Sequence, residues 1–338
     1  RKLLLTKYNN SDKAAELRWT ISQQYAKGGD LKSAWQWARE LTTHNPDSEL
    51  APEAAFWVGK WAKQLGREQD AKTAFEYTIL RYPESYFAWR SAVFLGWPVG
   101  DFTTVRDLSP NLVQATGRPE PPAGSAAVKE LYQLGQDRDA WTLWQIEFTN
   151  RVEPTIAEQF TDGLMRIGVG DNLDGLWMIG SLRQREKPDE RNEYLALRQQ
   201  PTYWQALYPF PYLETIVKWS QERKLNPGLV TALIRQESRF MPKIKSAVGA
   251  TGLMQVMPET GAWVAEKINL KKYSLEDVND NVKLGTWYLD HTHDEYKNNS
   301  MLAVASYNAG PNAVADWLKR FSMNDPDDFA NKIPFPET

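Results

Sequence analysis

The 338-residue chain contains no cysteine and only three histidines. The first absence removes disulfides, thiol catalysis and thiolate metal sites together, although it leaves the cellular compartment open. The histidines do not make up for it: His291 and His293, two apart on a helix, point to different faces, and His44 is remote in sequence. No metal and no cofactor are therefore expected. An excess of either charge is also lacking, because 40 Lys and Arg face 43 Asp and Glu for a net charge of −3. A polynucleotide partner needs a basic footprint that this chain does not have. Apolar runs are only a few residues long, against the roughly 20 needed to cross a bilayer. At the start, Arg1-Lys2-Leu3-Leu4-Leu5 is too short for a signal-peptide apolar region and reads as a cut inside a longer precursor. Any export signal would lie upstream of it.

Tryptophan, by contrast, is abundant, and 11 of the 15 lie before position 205. Indoles stack on sugar rings, but they also fill gaps between helices, and their helical spacing here favours packing. The same region carries an internal repeat. Gly29 and Ala34, Gly66 and Ala71, and Gly135 and Ala140 share one spacing, and Asn45-Pro46-Asp47-Ser48 is echoed by Tyr82-Pro83-Glu84-Ser85. The 37-residue interval from Gly29 to Gly66 is close to the ~34 of a tetratricopeptide unit. The glycine turns the chain between paired helices, the alanine lets them approach, and the proline stops the second one. Such units stack into a superhelical solenoid.

The repeat fades after Trp97, and the stretch from Pro98 to Gly124, rich in proline and glycine, reads as an irregular connection. A helical pattern resumes at Ala126 and persists to about Leu207, where Pro209-Phe210-Pro211 marks a boundary. Strand signals are nearly absent. The expected organisation is all-α, with a helical solenoid over 1–124, linker helices over 125–205 and a compact helical domain over 206–338.

Chemistry is concentrated in that last domain. Asn226-Pro227 is a helix start, with an Asn cap and a proline in the first turn. The apolar stripe Val230, Leu233 and Ile234 then leads to Glu237 at the next core-facing position. Burial and the negative end of the helix both disfavour an ionised carboxylate, so this placement suits a general acid working near neutral pH. Taken alone, Glu237 could equally swing out to Arg235, Arg239 or Lys243. Further on, Gly249 and Gly252 permit close backbone approach, and Gln255 sits alone in the apolar run Leu253 to Met257. Ala305-Ser306-Tyr307-Asn308-Ala309-Gly310-Pro311 reads as a buried helix ended by Gly310, with Pro311 opening the next.

Glu237-Ser238, Gly252-Leu253-Met254-Gln255 and Ala305 to Pro311 stand in the order and spacing of the soluble lytic transglycosylases, and the last 130 residues resemble that family. The resemblance implies a catalytic domain like goose-type lysozyme, preceded by a helical superhelix and a linker domain. It makes Glu237 the catalytic acid/base. Ser246, Gln255 and Met257 would touch the substrate, Tyr307 and Asn308 would orient the saccharide, and Glu337 would lie in the cleft. The substrate implied is the glycan strand of peptidoglycan, acted on by a monomer in the periplasm or elsewhere in the cell envelope. Proteins of wall synthesis or remodelling would be partners for the solenoid.

Glycosidases commonly need two carboxylates, yet Glu259 and Glu266 both read as surface residues. The mechanism implied by the resemblance needs one. Glu237 protonates the oxygen between N-acetylmuramic acid and N-acetylglucosamine, the 2-acetamido oxygen meets the positive carbon, and Glu237 then deprotonates the 6-hydroxyl that closes a 1,6-anhydro ring. The alternatives are a lysozyme-like hydrolase, which would use water, and a non-catalytic helical-repeat scaffold.

Overall fold

The computed structural model describes residues 2–112, 117–148, 152–185, 187–336 and 338. Among these residues the chain is helical, with two short 3-10 turns and two isolated β-bridges as the only other regular structure. Among the described residues no helix is long and apolar enough to cross a membrane. Contacts divide the chain into two units, 1–105 and 106–338, and the division falls inside the Pro98–Gly124 connection.

The first unit is built from helix pairs, Asp12–Lys27 with Leu31–His44 and Ala51–Gln64 with Glu68–Arg81, followed by Tyr86–Phe94. Each pair turns on the glycine that the repeat identified: Gly29 and Gly66 have φ of 83° and 72°, in the left-handed region that other residues avoid. Ala34 and Ala71 are buried where the helices meet. The second helices end alike, at Asn45 (φ −131°, ψ 52°) and Tyr82 (φ −129°, ψ 51°), each restricted by the proline that follows. Tyr82 also ties one repeat to the previous one, its hydroxyl donating to the Pro46 carbonyl at 2.8 Å. Trp35, Trp57 and Trp61 are buried in this core, as packing tryptophans should be. Phe56, Phe75, Phe87 and Phe94 surround one another with ring centroids 5.1–6.0 Å apart. Gly59 makes that cluster possible, because a Cβ there would stand 2.5 Å from the Phe75 ring.

In the second unit the helices Ala126–Gln133 and Asp137–Phe148 turn on Gly135 (φ 75°), with Ala140 buried against the core. A further copy follows, hidden in the sequence because glycine replaces the alanine: Gly170 (φ 87°) turns between Ile156–Gly168 and Asn172–Ser181, and Gly175 lies at the close approach. A Cβ on Gly175 would meet the Gly163 carbonyl oxygen at 2.9 Å. Not every tryptophan packs, since Trp177 is 61% exposed and Trp97 50%. The helices Pro188–Arg198 and Pro201–Leu207 complete this part.

The remaining helices, Leu213–Glu222, Pro227–Ser238, Pro258–Lys267, Val278–Glu295, Ser300–Ala309, Pro311–Arg320 and Pro326–Ala330, surround three hydrophobic clusters, one larger than the other two. Leu176 enters the largest cluster, and Asn172 donates to the Phe240 carbonyl at 3.4 Å, which docks the Asn172–Ser181 helix against this domain. Arg106 does the same from the connection, reaching Asp290, Asn298 at 2.6 Å and the Arg223 carbonyl at 3.3 Å. His291 stacks on Trp287.

His293 is fully buried between the Leu289 carbonyl, 2.8 Å from Nδ1, and the Ser300 hydroxyl, 3.0 Å from Nε2. The pair joins the Val278–Glu295 helix to the start of Ser300–Ala309. Burial holds the imidazole below its ordinary pKa; the Leu289 carbonyl, Asp294 and Asp107 pull upward and Arg106 pulls down. The folded state therefore binds this proton less readily than the unfolded chain. Its contribution is complete above the unfolded value of about 6.5 and is lost as pH falls through the lower folded value. Denaturant midpoints should fall between pH 8 and pH 5, and His293→Asn should flatten that slope. An unchanged slope in the variant would place the titration elsewhere.

Candidate active site

The Pro227–Ser238 helix begins as its sequence requires, with the Asn226 side chain accepting from the Gly228 N–H at 2.9 Å and Pro227 in the first turn. Val230, Leu233 and Ile234 are buried in the largest cluster. Glu237 is half-buried one turn further on. The helix stops because Arg239 and Phe240 both turn left-handed, with φ of 49° and 64°. Ser238 seals that end: its hydroxyl donates to the Ile234 carbonyl at 3.1 Å and accepts from the Phe240 N–H at 3.2 Å. Arg235 is engaged elsewhere, donating to the Leu207 carbonyl at 3.1 Å beneath the ring of Tyr208.

The segment from Ile244 to Val256 folds back on itself through bridges between Lys245 and Thr251 and between Thr251 and Val256. Gly249 and Gly252 have φ of 94° and 83°. At Gly252 the conformation and the space both demand glycine, since a Cβ would overlap the Leu275 carbonyl and the Asn281 amide. Gln255 is itself left-handed, with φ 46°, and its amide nitrogen donates to Gly252 O at 2.9 Å and Ile244 O at 3.3 Å. This answers the sequence puzzle of a lone amide in an apolar run: half of it staples the loop.

The loop is gripped from outside at one residue. Asn281, almost fully buried, accepts from the Met254 N–H at 2.8 Å. Its amide nitrogen donates to Thr251 O at 2.9 Å and Leu275 O at 2.8 Å. On the other side of Met254, the Tyr307 hydroxyl donates to the carbonyl at 2.8 Å. Tyr307 leaves the last turn of Ser300–Ala309, which Gly310 (φ 83°) ends and Pro311 follows with a new helix. Burial raises the pKa of Tyr307 well above that of a free phenol, and the negative charge of Glu237 and the neighbouring Tyr288 add to this. The Tyr288 ring packs against it at a tilt of 53°, with centroids 5.3 Å apart.

Glu237, Tyr307 and the Gly252–Gln255 loop are thus brought into one neighbourhood. Asn308 is exposed beside it and accepts from the Thr338 hydroxyl at 2.5 Å. Ser246 is also exposed, its hydroxyl accepting from the Ala250 N–H at 3.0 Å and so shaping the loop. Met257 is 37% exposed where the Pro258–Lys267 helix begins. Glu259 and Glu266 are exposed. Glu337 lies outside the described residues. Asn281 was missed in the sequence because its partners, 27 and 30 positions away, are backbone atoms of a loop.

Residues 214–329 match the family described as the Transglycosylase SLT domain. These residues carry an SLT transglycosylase domain. Over 322 residues the chain is 35% identical to the soluble lytic murein transglycosylase of Salmonella typhimurium, covering 92% of this chain and 44% of that protein. It is similar in fold to the crystal structure of the 70 kDa soluble lytic transglycosylase of Escherichia coli, with a TM-score of 0.58 and 22% identity over 96% of this chain and 48% of the other. A lytic transglycosylase of Pseudomonas aeruginosa aligns with a TM-score of 0.50 and 22% identity, covering 99% and 57%. The chain spans about half the length of these relatives. The SLT domain encloses Glu237, Met254, Asn281 and Tyr307 together.

Removing the Asn281 side chain strands one donor and two acceptors at the loop. Asn281→Ala should lower stability by about 3 kcal/mol and expose the 244–256 segment to proteolysis before the rest of the domain. A loop that stays protected in the variant would show that Asn281 does not hold it.

Proposed function

We propose that the chain is a peptidoglycan lytic transglycosylase. It cleaves the bond from N-acetylmuramic acid to N-acetylglucosamine and leaves 1,6-anhydro ends, with Glu237 as the single acid/base. One observation carries the reading. Glu237, at a helix end fixed by buried neighbours, acts electrostatically on a tyrosine that is bonded to the glycine-bearing loop. The names of the relatives support murein as the substrate. The structure of a related 70 kDa soluble lytic transglycosylase in complex with bulgecin A supports a cleft that takes a ligand.

Glu237 gives its proton to the glycosidic oxygen as the bond to the anomeric carbon breaks. The substrate's acetamido oxygen shares the positive charge, as in substrate-assisted glycosidases. The carboxylate then removes the 6-hydroxyl proton, the freed oxygen closes on the same carbon, and Glu237 is again protonated. Ser246, Gln255, Met257, Tyr307, Asn308 and Glu337 bind the saccharide. Because the Tyr307 proton is committed to Met254, its phenolic oxygen meets the substrate as an acceptor and suits the acetamido N–H. The division into 1–124, 125–205 and 206–338, a monomer, wall-remodelling partners on the solenoid and a location in the cell envelope complete the reading.

Glu237→Gln should fold normally and release no anhydro-muropeptides from purified sacculi, as read by mass spectrometry. Reducing ends in place of anhydro ends from the unaltered chain would favour the lysozyme-like hydrolase. Tyr307→Phe and Asn308→Ala should each lower turnover by about 10², or about 2.7 kcal/mol, more than they weaken glycan affinity. Asn308 is exposed, so its variant should keep its melting temperature. Near-normal turnover in both would remove them from the site.

A further inference from the structure

The first unit holds a cavity of about 420 Å³ between the second helices of its two repeats. Trp35, Arg39 and Thr43 of Leu31–His44 form one wall and Thr73, Ala74 and Tyr77 of Glu68–Arg81 the other, with Ala55 and Val58 below. In a plain stack of helix pairs this gap would be an open furrow. Here both ends are latched. At one end the Arg67 guanidinium lies over the Trp35 ring, 4.0 Å from its centroid. At the other end Tyr82 donates to the Pro46 carbonyl at 2.8 Å and Arg81 pairs with Asp47 at 2.5 Å. The latches are 11 positions apart, from Trp35 to Pro46 just past the end of the Leu31–His44 helix, which is roughly 16 Å at the helical rise. An extended backbone of four or five residues spans that length.

The walls have a definite polarity. The hydroxyls of Thr42 and Thr43 donate to the Arg39 carbonyl at 2.9 Å, and that of Thr73 to Gln69 O at 2.9 Å. Their protons are used within the helices, so they offer lone pairs to N–H groups. Asp70 is held by Arg67 at 2.6 Å and is an acceptor of reduced charge. Arg39 has no carboxylate partner among the described residues and brings a cation to this row of acceptors. Acceptors for amide N–H groups, a guanidinium that lies over the Trp35 ring at 5.2 Å from its centroid and has no carboxylate partner among the described residues, and a narrow apolar floor together describe a site for a short peptide with a free carboxylate.

We infer that this slot binds the peptide stem of peptidoglycan, a peptide of four or five residues with alanine at its ends and more than one free carboxylate. The assignment of the stem rests on the proposed function, and it adds a second point of attachment to the wall, away from the reacting bond.

The synthetic tetrapeptide L-Ala-γ-D-Glu-meso-diaminopimelyl-D-Ala, titrated into the purified chain by calorimetry, should bind saturably. Arg39→Glu and Thr43→Trp, both at exposed positions, should weaken it at least tenfold without lowering the melting temperature. Amidating the peptide's carboxyl groups should weaken binding to the unaltered chain as much, an arm that needs no variant to fold. Absence of binding at millimolar peptide, equal affinity in the variants, or equal affinity for an all-L peptide of the same length and charge would overturn the proposal. The tetrapeptide contains no sugar, so a chain that bound it but cleaved no glycan would overturn the catalytic reading alone.

Discussion

The backbone of Met254 is the point on which the SLT domain turns. Its N–H is held by Asn281 from one helix and its carbonyl by Tyr307 from another. A loop of irregular backbone cannot satisfy its own polar groups when buried, so side chains must do it. Here two of them fix the loop and, in the same act, fix the phenol whose environment includes Glu237. Loosening either bond releases both the loop and the tyrosine, which makes structural support and chemistry hard to separate at this position.

Packing reinforces that grip. Gly285 allows the Met254 side chain to lie against the Val278–Glu295 helix, where a Cβ would stand 2.5 Å from the Met254 sulfur. Met254 and Leu253 are fully buried. The carboxylate is positioned from the opposite side, by a helix whose buried stripe and sealed end leave it little freedom. The site is therefore assembled from three separate elements that share one core, and none of them carries it alone.

Much of this was legible in the sequence wherever the controlling physics is local. Asn226 with Pro227, and Gly310 with Pro311, mark helix ends by rules that involve only neighbouring residues. Gly29, Gly66 and Gly135 were visible for the same reason, since a left-handed corner needs glycine whatever surrounds it. The copy at Gly170 escaped because Gly175 fills the alanine's place, where the helices come too close for a Cβ. Asn281 escaped for a deeper reason. In the run Asp280-Asn281-Val282 nothing local distinguishes it from a solvated polar residue; the loop that folds against it gives it two of its three partners. The use of the Tyr307 proton was likewise unreadable, because it depends on which carbonyl the fold brings near.

The corners of the solenoid have a consequence for how such a chain can change over generations. At Gly29 and Gly66 nothing stands within 4 Å of where a side chain would begin, so each turn is set by its own backbone and by no neighbouring unit. Contacts in a stack of this kind run only between adjacent units. Duplication or loss of a whole helix pair would then preserve every remaining corner and every remaining interface. The amino-terminal part can vary in length by complete units, while the SLT domain, whose contacts cross tens of residues, must be inherited intact.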